Sequence, residues 1–424
     1  MVATLPNVPL ATSMLSLLGA SVMVGTVLHV IAQGKVPTFS GIFGLGLLLV
    51  VWIALSNPYA ATEGGDRNWV FTFVQLLALT WMSGYLLRSP QRQRFLMIVF
   101  ATATVISTCF VFGETVITAT RAESVRSAGL SGGSNSVARY IVLSIIFLVY
   151  LRSIERRHQY RMILLGAIAI LLAGLAYTLS RSGLLLLLTA GLLLAFRMMG
   201  RTNLKATTKL KIIVLAAAVS TGVIYVLPDS IFQAYSSVLQ TTDLNRYRPD
   251  MESIDQNARI FLAMAGYEMW LDHPWEGVGI GQFPLQLTSY STYFRNEIGP
   301  HNMYVNMLAE TGIIGLIFFV TFLATAARQM YHASKSTGAV LNLPYIWFVC
   351  LIVLAVGGLL KHDHANKLLW LLVGMSIPFN GAAAVMRAKM RRSNTRRGNG
   401  RNVVRDTSDR GTPHPGGPDI GTTH

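Results

Sequence analysis

The feature that most constrains this chain is the return, again and again, of apolar runs about as long as a bilayer's hydrocarbon core is thick. A helix needs roughly 20 residues to cross that core. Such runs recur at approximately 9 to 32, 40 to 57, 69 to 87, 95 to 113, 137 to 151, 162 to 179, 183 to 198, 212 to 227, 312 to 329, 343 to 360 and 368 to 386. Eleven membrane helices are expected, or twelve if the N-terminal region holds one more. With 52% hydrophobic and only 13% charged residues, the chain has too few polar groups to cover a soluble globule of its size. It reads as an all-α polytopic membrane protein. The first run has no Lys or Arg before Lys35, so it lacks the basic start of a cleaved signal peptide and reads as a retained helix.

A net charge of +16 suggests nucleic acid at first sight, but the placement of the charge argues against that partner. Lys and Arg concentrate in the loops Arg88 to Arg94, Arg152 to Arg161 and Arg197 to Lys211 and in the tail from Arg387. With loops assigned to alternate sides, all of these fall on one face, which is the positive-inside pattern. The expected topology puts the N-terminus outside and the C-terminus in the cytoplasm. Membrane helices then fill 1–227 and 312–386, a large extracytoplasmic loop fills 228–311, and 387–424 is a disordered basic tail with almost nothing to bury. Cys109 and Cys350 both lie inside apolar runs, so no disulfide framework is implied.

The insert at 228–311 is the one long polar stretch, and its residue types suit chemistry at a membrane surface. Its first part offers Tyr235, Arg246, Tyr247 and Arg248, which fit glycan contacts or an ordinary interfacial loop. Ser253 to Gln256 has the form of a capping box, so a helix should follow. Ile260, Met264, Tyr267 and Leu271 are spaced to give that helix one buried face, and His273-Pro274 ends it. Arg259 lies on this helix, as a ligand-binding charge or as a surface charge paired with Asp255. The run Gly277, Gly279, Gly281 has no preceding strand, so it is a tight re-entry turn that lets Trp275 and Phe283 pack at the interface, not a nucleotide fingerprint. Pro300-His301-Asn302 opens a further helical stretch, Met303 to Glu310, stopped at Thr311-Gly312. At such a helix start an imidazole is held neutral and suited to accept a proton; a His that merely caps its own helix is the plainer alternative.

Two upstream segments add candidates. In Leu179-Ser180-Arg181-Ser182-Gly183, an outer helical turn, the Arg fork suits a phosphate, although an Arg can also snorkel to headgroups. Gly133 to Ala138, with Asn135, turns the chain or lets backbone approach a ligand. The turn Lys361-His362-Asp363-His364 is weak evidence for a metal site, and no metal or cofactor is expected.

These pieces, in this order, resemble the O-antigen ligase and polymerase superfamily of bacterial envelope glycosyltransferases. The resemblance rests on Leu179 to Gly183, Asn257-Ala258-Arg259, His273-Pro274, Gly277-x-Gly279-x-Gly281-x-Phe283, Pro300-His301-Asn302 and Leu308 to Gly312, with Gly133 to Ala138 before the fifth run. It covers roughly residues 110 to 385. It implies a membrane-embedded fold of the lipid-sugar-dependent (GT-C-like) class in the bacterial inner membrane. It implies transfer of a glycan from a polyprenyl (undecaprenyl) diphosphate carrier to an acceptor hydroxyl on lipid A core, a growing polysaccharide or another molecule, with inversion and without metal. His301 is then the base, Arg259 and Arg181 stabilise the diphosphate, and Ser180, Asn135 and Asn302 line the substrate site; Glu310 is structural or positioning. The partners are the lipid-linked glycan, the acceptor and membrane lipid. A flippase for lipid-linked sugars is the competing reading, but a coupled transporter would usually need ionisable residues within its spans, and here, apart from His29, they gather at helix ends.

Overall fold

The computed structural model describes residues 40–56, 68–120, 134–178, 180–201, 251–291, 299–336, 339–361 and 364–380, with isolated positions in 21–32 and at 207. At Asn68, Val111, 113–120, Ser134, Arg181, Arg201 and 251–258 only the backbone is described. The expected span at 212–227, most of the one at 9–32, the insert at 228–250 and the tail lie outside the described residues, as do Arg121, Arg126, His362 and Asp363.

Among the described residues the chain is helical without strands. Its helices are α1 (Gly41–Leu55), α2 (Asn68–Leu86), α3 (Pro90–Thr120), α4 (Ser134–Ile154), α5 (His158–Tyr177), α6 (Arg181–Arg201), α7 (Met251–Asp272), α8 (Phe283–Tyr290), α9 (Met303–Ser334), α10 (Leu343–Gly357) and α11 (Lys367–Gly374). Each expected apolar run within the described residues is one of these helices. Six are long and apolar enough to cross a membrane: Trp69–Leu86, Pro90–Phe110, Asn135–Ile154, His158–Tyr177, Ser182–Gly200 and Met303–Ser334. Gly41–Leu55, Leu343–Gly357 and Lys367–Asn380 are shorter apolar helices.

Burial separates the centre of the bundle from its rim. On α4 the residues Val137, Ala138, Ile141, Val142, Ile145, Ile146 and Phe147 are all buried, as are Ile346, Trp347, Cys350, Val353 and Leu354 on α10. These two apolar helices form the core, around which α3, α5, α6 and α9 pack. On α5, equally apolar, Ile163 is 64% exposed, and Met162, Leu165 and Leu172 are open as well. Phe71, Phe95 and Phe196 point outward on their own helices. A ring of outward Phe, Ile and Leu of this extent is what a hydrocarbon surround stabilises. Small residues let helices approach within the bundle. A Cβ at Gly84 would meet Ile377 at 2.6 Å, and Thr80 Oγ1 donates to Trp370 O of α11 at 3.0 Å.

At one end of the bundle Arg197 of α6 closes the packing. Its Nη2 donates to Ser334 O at 2.6 Å and its Nε to Val340 O at 3.0 Å, with the guanidinium over the Tyr345 ring. At the same end Trp347 Nε1 donates to Gln93 Oε1 of α3 at 2.8 Å. The starts of α4, α6 and α9 and the end of α10 therefore gather at the opposite end.

Candidate functional site

That opposite end is built around a break in α9. At 32 residues α9 is about 48 Å long, well beyond a hydrocarbon core. Gly312, at φ 65 and ψ −172, interrupts it, where the sequence reading placed the stop. Breaking a helix strands backbone groups, and here four of them find partners across the break. Ile313 N–H donates to Pro274 O at 3.0 Å, Ala309 O accepts from Val278 N–H at 2.8 Å, and Glu310 O accepts from Gly279 N–H at 3.0 Å. Thr311 O accepts from Trp52 Nε1 of α1 at 2.9 Å.

The glycine run is thus a strap across the break. Gly277, Gly279 and Gly281 all have positive φ, and a Cβ on Gly277 would sit 2.5 Å from Thr311 N. The buried carboxylate of Glu310 fastens the strap. Its Oε1 accepts from Phe283 N–H at 3.2 Å and its Oε2 from Asn306 Nδ2 at 2.8 Å. Beneath the strap Phe283 packs with Leu262, Ala265, Met269, Leu287 and Ala309 in a small core of its own.

Two expectations for this region need correction. The buried face of α7 is Leu262, Ala265 and Met269, whereas Tyr267 is 46% and Leu271 54% exposed. Both faces of α7 carry apolar residues, and the spacing does not say which one meets protein. Phe283 is buried in this region and Trp275 is 64% exposed. The helix also begins at Met251, which puts Ser253 within its first turn rather than ahead of it.

The strap sets the register of α7 against α9. Gly266 abuts Val305, with a Cβ there only 2.6 Å from Val305 Cγ1, and eight residues on, Pro274 meets Ile313, eight after Val305. The same offset at both contacts makes the helices parallel and brings Arg259, exposed on α7, toward the approach to α9. That approach is Pro300-His301-Asn302. Asn302 is the N-cap of α9, its Oδ1 accepting from Tyr304 N–H at 2.9 Å and Val305 N–H at 3.3 Å. His301 therefore does not cap the helix. It is half-buried, with φ 50, among the described residues the one non-glycine residue with positive φ. Such strain persists where surrounding contacts over-determine the backbone, and it gathers at functional sites. Here buried Pro300 on one side and the Asn302 cap on the other hold it.

Burial, and then the charges of Arg259 and Lys361, hold the His301 imidazole below its ordinary value. The two cations reach it from different elements. Lys361 follows α10, and Met303 N–H donates to Gly358 O at 2.7 Å, tying the start of α9 to the end of α10. Lys361 Nζ donates to Ser136 Oγ of α4 at 2.8 Å. The next residue toward the helix start, Asn135, accepts through Oδ1 from Ser180 Oγ at 2.8 Å and Ser182 Oγ at 3.1 Å. Ser180 Oγ in turn accepts from Gly183 N–H at 3.2 Å and opens α6. Arg181, flanked by these two serines, is the first residue of α6. Gly183 lets α6 lie against α4: a Cβ there would be 2.7 Å from Ala138 Cβ.

Of the sequence-derived candidates, the structure brings Arg259 and His301 into electrostatic reach of each other. It joins Ser180 to Asn135 at the start of α6, where it sets the backbone of Arg181. It spends the Asn302 carbonyl oxygen on capping. The member that sequence reasoning missed is Lys361, which was visible only as part of a doubtful metal cluster. His364, from the same turn, is buried with its ring near-parallel to Trp69 and Phe73, each 5.9 Å away, and its Nδ1 is 3.4 Å from Asn306 Nδ2. A cavity of about 900 Å³ lined by His29, Tyr85, Arg88, Ser89 and Arg92 opens at the Arg197 end and includes none of these residues.

A cluster of fixed cations beside a neutral imidazole can hold an anion and take up a proton. Residues 166–320 match the family model described as O-antigen ligase. Over that stretch, a little over a third of the chain, the protein is similar to the O-antigen ligase family. No curated protein matches the chain. The O-antigen ligase segment runs from within α5 into α9 and contains Arg181, Arg259, the strap, Glu310 and His301, whereas Asn135, Ser136 and Lys361 fall outside it. The helices and this family place the chain among membrane proteins of envelope polysaccharide biosynthesis.

Proposed function

We propose that this protein is an inverting, metal-independent glycosyltransferase of the bacterial inner membrane. It moves a glycan from a polyprenyl diphosphate carrier to an acceptor hydroxyl on the extracytoplasmic side. The observation that carries this reading is the convergence of Arg259 from α7 and Lys361 from the α10 end on His301, within and beside an O-antigen ligase domain.

His301 is the base. As the acceptor oxygen attacks the anomeric carbon, its proton passes to the imidazole and the carbon–oxygen bond to the carrier diphosphate breaks. The diphosphate departs with the electron pair. An imidazole whose pKa is held below its ordinary value by burial and by two cations is neutral near pH 7, the form that accepts a proton. Arg259, with Arg181 from α6, meets the negative charge that grows on the leaving group, a role guanidinium fills in fixed, bidentate geometry. Ser180 and Asn135 hold the start of α6, the helix that Arg181 opens, and Asn302 holds His301.

The test is transfer from a lipid-linked glycan by purified protein in lipid bilayers with a chelator present. Arg259→Ala and His301→Ala are each expected to lower kcat/KM by about 10²-fold or more. Undiminished transfer by His301→Ala, with membrane insertion unchanged, would remove the base assignment. Loss of wild-type transfer with the chelator would remove metal independence.

A further inference from the structure

We propose that the cavity at the Arg197 end of the bundle is a binding site for an anionic phospholipid of the surrounding bilayer, its phosphate held by Arg88 and Arg92 and an acyl chain laid along α3. The site lies at the end away from His301 and stands apart from the glycosyltransferase reading.

The order of residue types along one wall matches such a ligand. Arg92, Phe95, Leu96 and Val99 all line the cavity, and an i, i+3, i+4, i+7 pattern puts them on one face of α3. That face passes from a cation to apolar side chains within about 10 Å, the rise of two helical turns. Phe95 and Val99 are exposed, and both belong to the membrane-spanning stretch Pro90–Phe110. A phospholipid presents its charge and its chain in the same order.

The cations are positioned by contacts with neutral groups, which orient a guanidinium without cancelling its charge. Arg92 Nη1 donates to Leu86 O at 2.9 Å, and the Arg88 guanidinium carbon lies 4.9 Å from the centroid of the Tyr85 ring. The turn that carries them is pinned to the core by Gln93, whose Nε2 donates to Leu87 O at 2.8 Å and whose Oε1 accepts from buried Trp347. An arginine fork suits a phosphate. Basic pockets between membrane helices are where anionic headgroups bind.

There is also room. The cavity holds about 900 Å³, and a Cβ added at Gly25, which lines it, would meet nothing within 4 Å. A volume of this order accepts a ligand rather than a single ion.

The probe is phosphatidylglycerol, titrated against the full-length protein in detergent micelles, with bound lipid counted by native mass spectrometry. Phosphatidylcholine is the zwitterionic control, and glycerophosphoglycerol, the same headgroup without chains, is the competitor. Wild type is expected to bind phosphatidylglycerol about 10-fold or more tightly than phosphatidylcholine. The double variant Arg88→Gln with Arg92→Gln should weaken the first phosphatidylglycerol about 10-fold or more. Gly25→Phe fills the cavity, keeps every charge and favours helix; it should weaken the lipid about as much, and keeps the test open should the double variant fail to fold. Arg161→Gln, at the same end but outside the cavity, should leave binding unchanged. If either cavity variant, folded, binds phosphatidylglycerol as wild type does, or wild type does not prefer it to phosphatidylcholine, the proposal is overturned. Weakening by Arg161→Gln equal to that of the double variant would mean a diffuse basic surface and would overturn it as well. If glycerophosphoglycerol competes as well as the intact lipid, the cavity takes a free phosphate ester and the phospholipid assignment falls. It falls too if farnesyl diphosphate displaces the lipid at concentrations below those at which phosphatidylglycerol itself binds.

Discussion

At the scale of single residues, His301 joins two properties that a structural histidine does not need. It is held with φ 50, and it faces two cations. Asn tolerates positive φ almost as well as His, so His301→Asn keeps the backbone and removes the base. Thermal unfolding in detergent should shift little, while kcat/KM falls about 10²- to 10⁴-fold. The sign of the pH dependence follows from the direction of the shift. A lowered pKa keeps the imidazole neutral until the pH drops below its ordinary range, so activity is present above that pKa and lost as pH falls through it. A bound diphosphate offsets the charges of Arg259 and Lys361 and raises the same pKa. The acid limb of kcat, which reports the bound enzyme, should therefore lie at higher pH than the limb of kcat/KM, which reports the free enzyme. Coincident limbs would mean that the anion does not sit beside His301.

At the scale of elements, the break in α9 and the strap that crosses it position everything else. Gly312→Ala places a Cβ against the backbone of Trp275 at a positive φ, and is expected to cost at least about 2 kcal/mol. A lowered unfolding midpoint with loss of transfer would check this; an unchanged midpoint would mean that the strap is dispensable. Glu310→Ala should act in the same direction, since it leaves Phe283 N–H and Asn306 Nδ2 without their buried acceptor. Much of this level could be read from the sequence. Gly312 as a stop, His273-Pro274 as a helix end and Asn302 at a helix start each have local backbone reasons. The buried face of α7 could not be read, because Tyr267 and Leu271 are apolar residues facing away from the protein core. Lys361 could not be read either. Its meaning comes from Ser136 on a helix more than two hundred residues earlier, a contact with no local signal.

At the scale of the whole molecule, the apolar runs within the described residues foretold each apolar helix, because runs of this length have one stable answer in lipid. They did not foretell which helices are central. Burial of α4 and exposure of α5, two helices of similar composition, is set by neighbours and not by pattern. The site joins α4, α6, α7, α9 and the end of α10 at one end of this bundle, so that its parts come from both sides of the polar insert. If His301 is the base of one transfer reaction, a single titration governs that whole arrangement. The most direct test is the pH profile of kcat/KM for glycan transfer by the reconstituted wild type beside His301→Asn, with a chelator in both. The expected result is a wild-type acid limb below about pH 6.5 with a one-proton slope, and a residual, pH-independent rate in His301→Asn; an acid limb that persists unchanged in His301→Asn, or a variant as active as wild type, would contradict it.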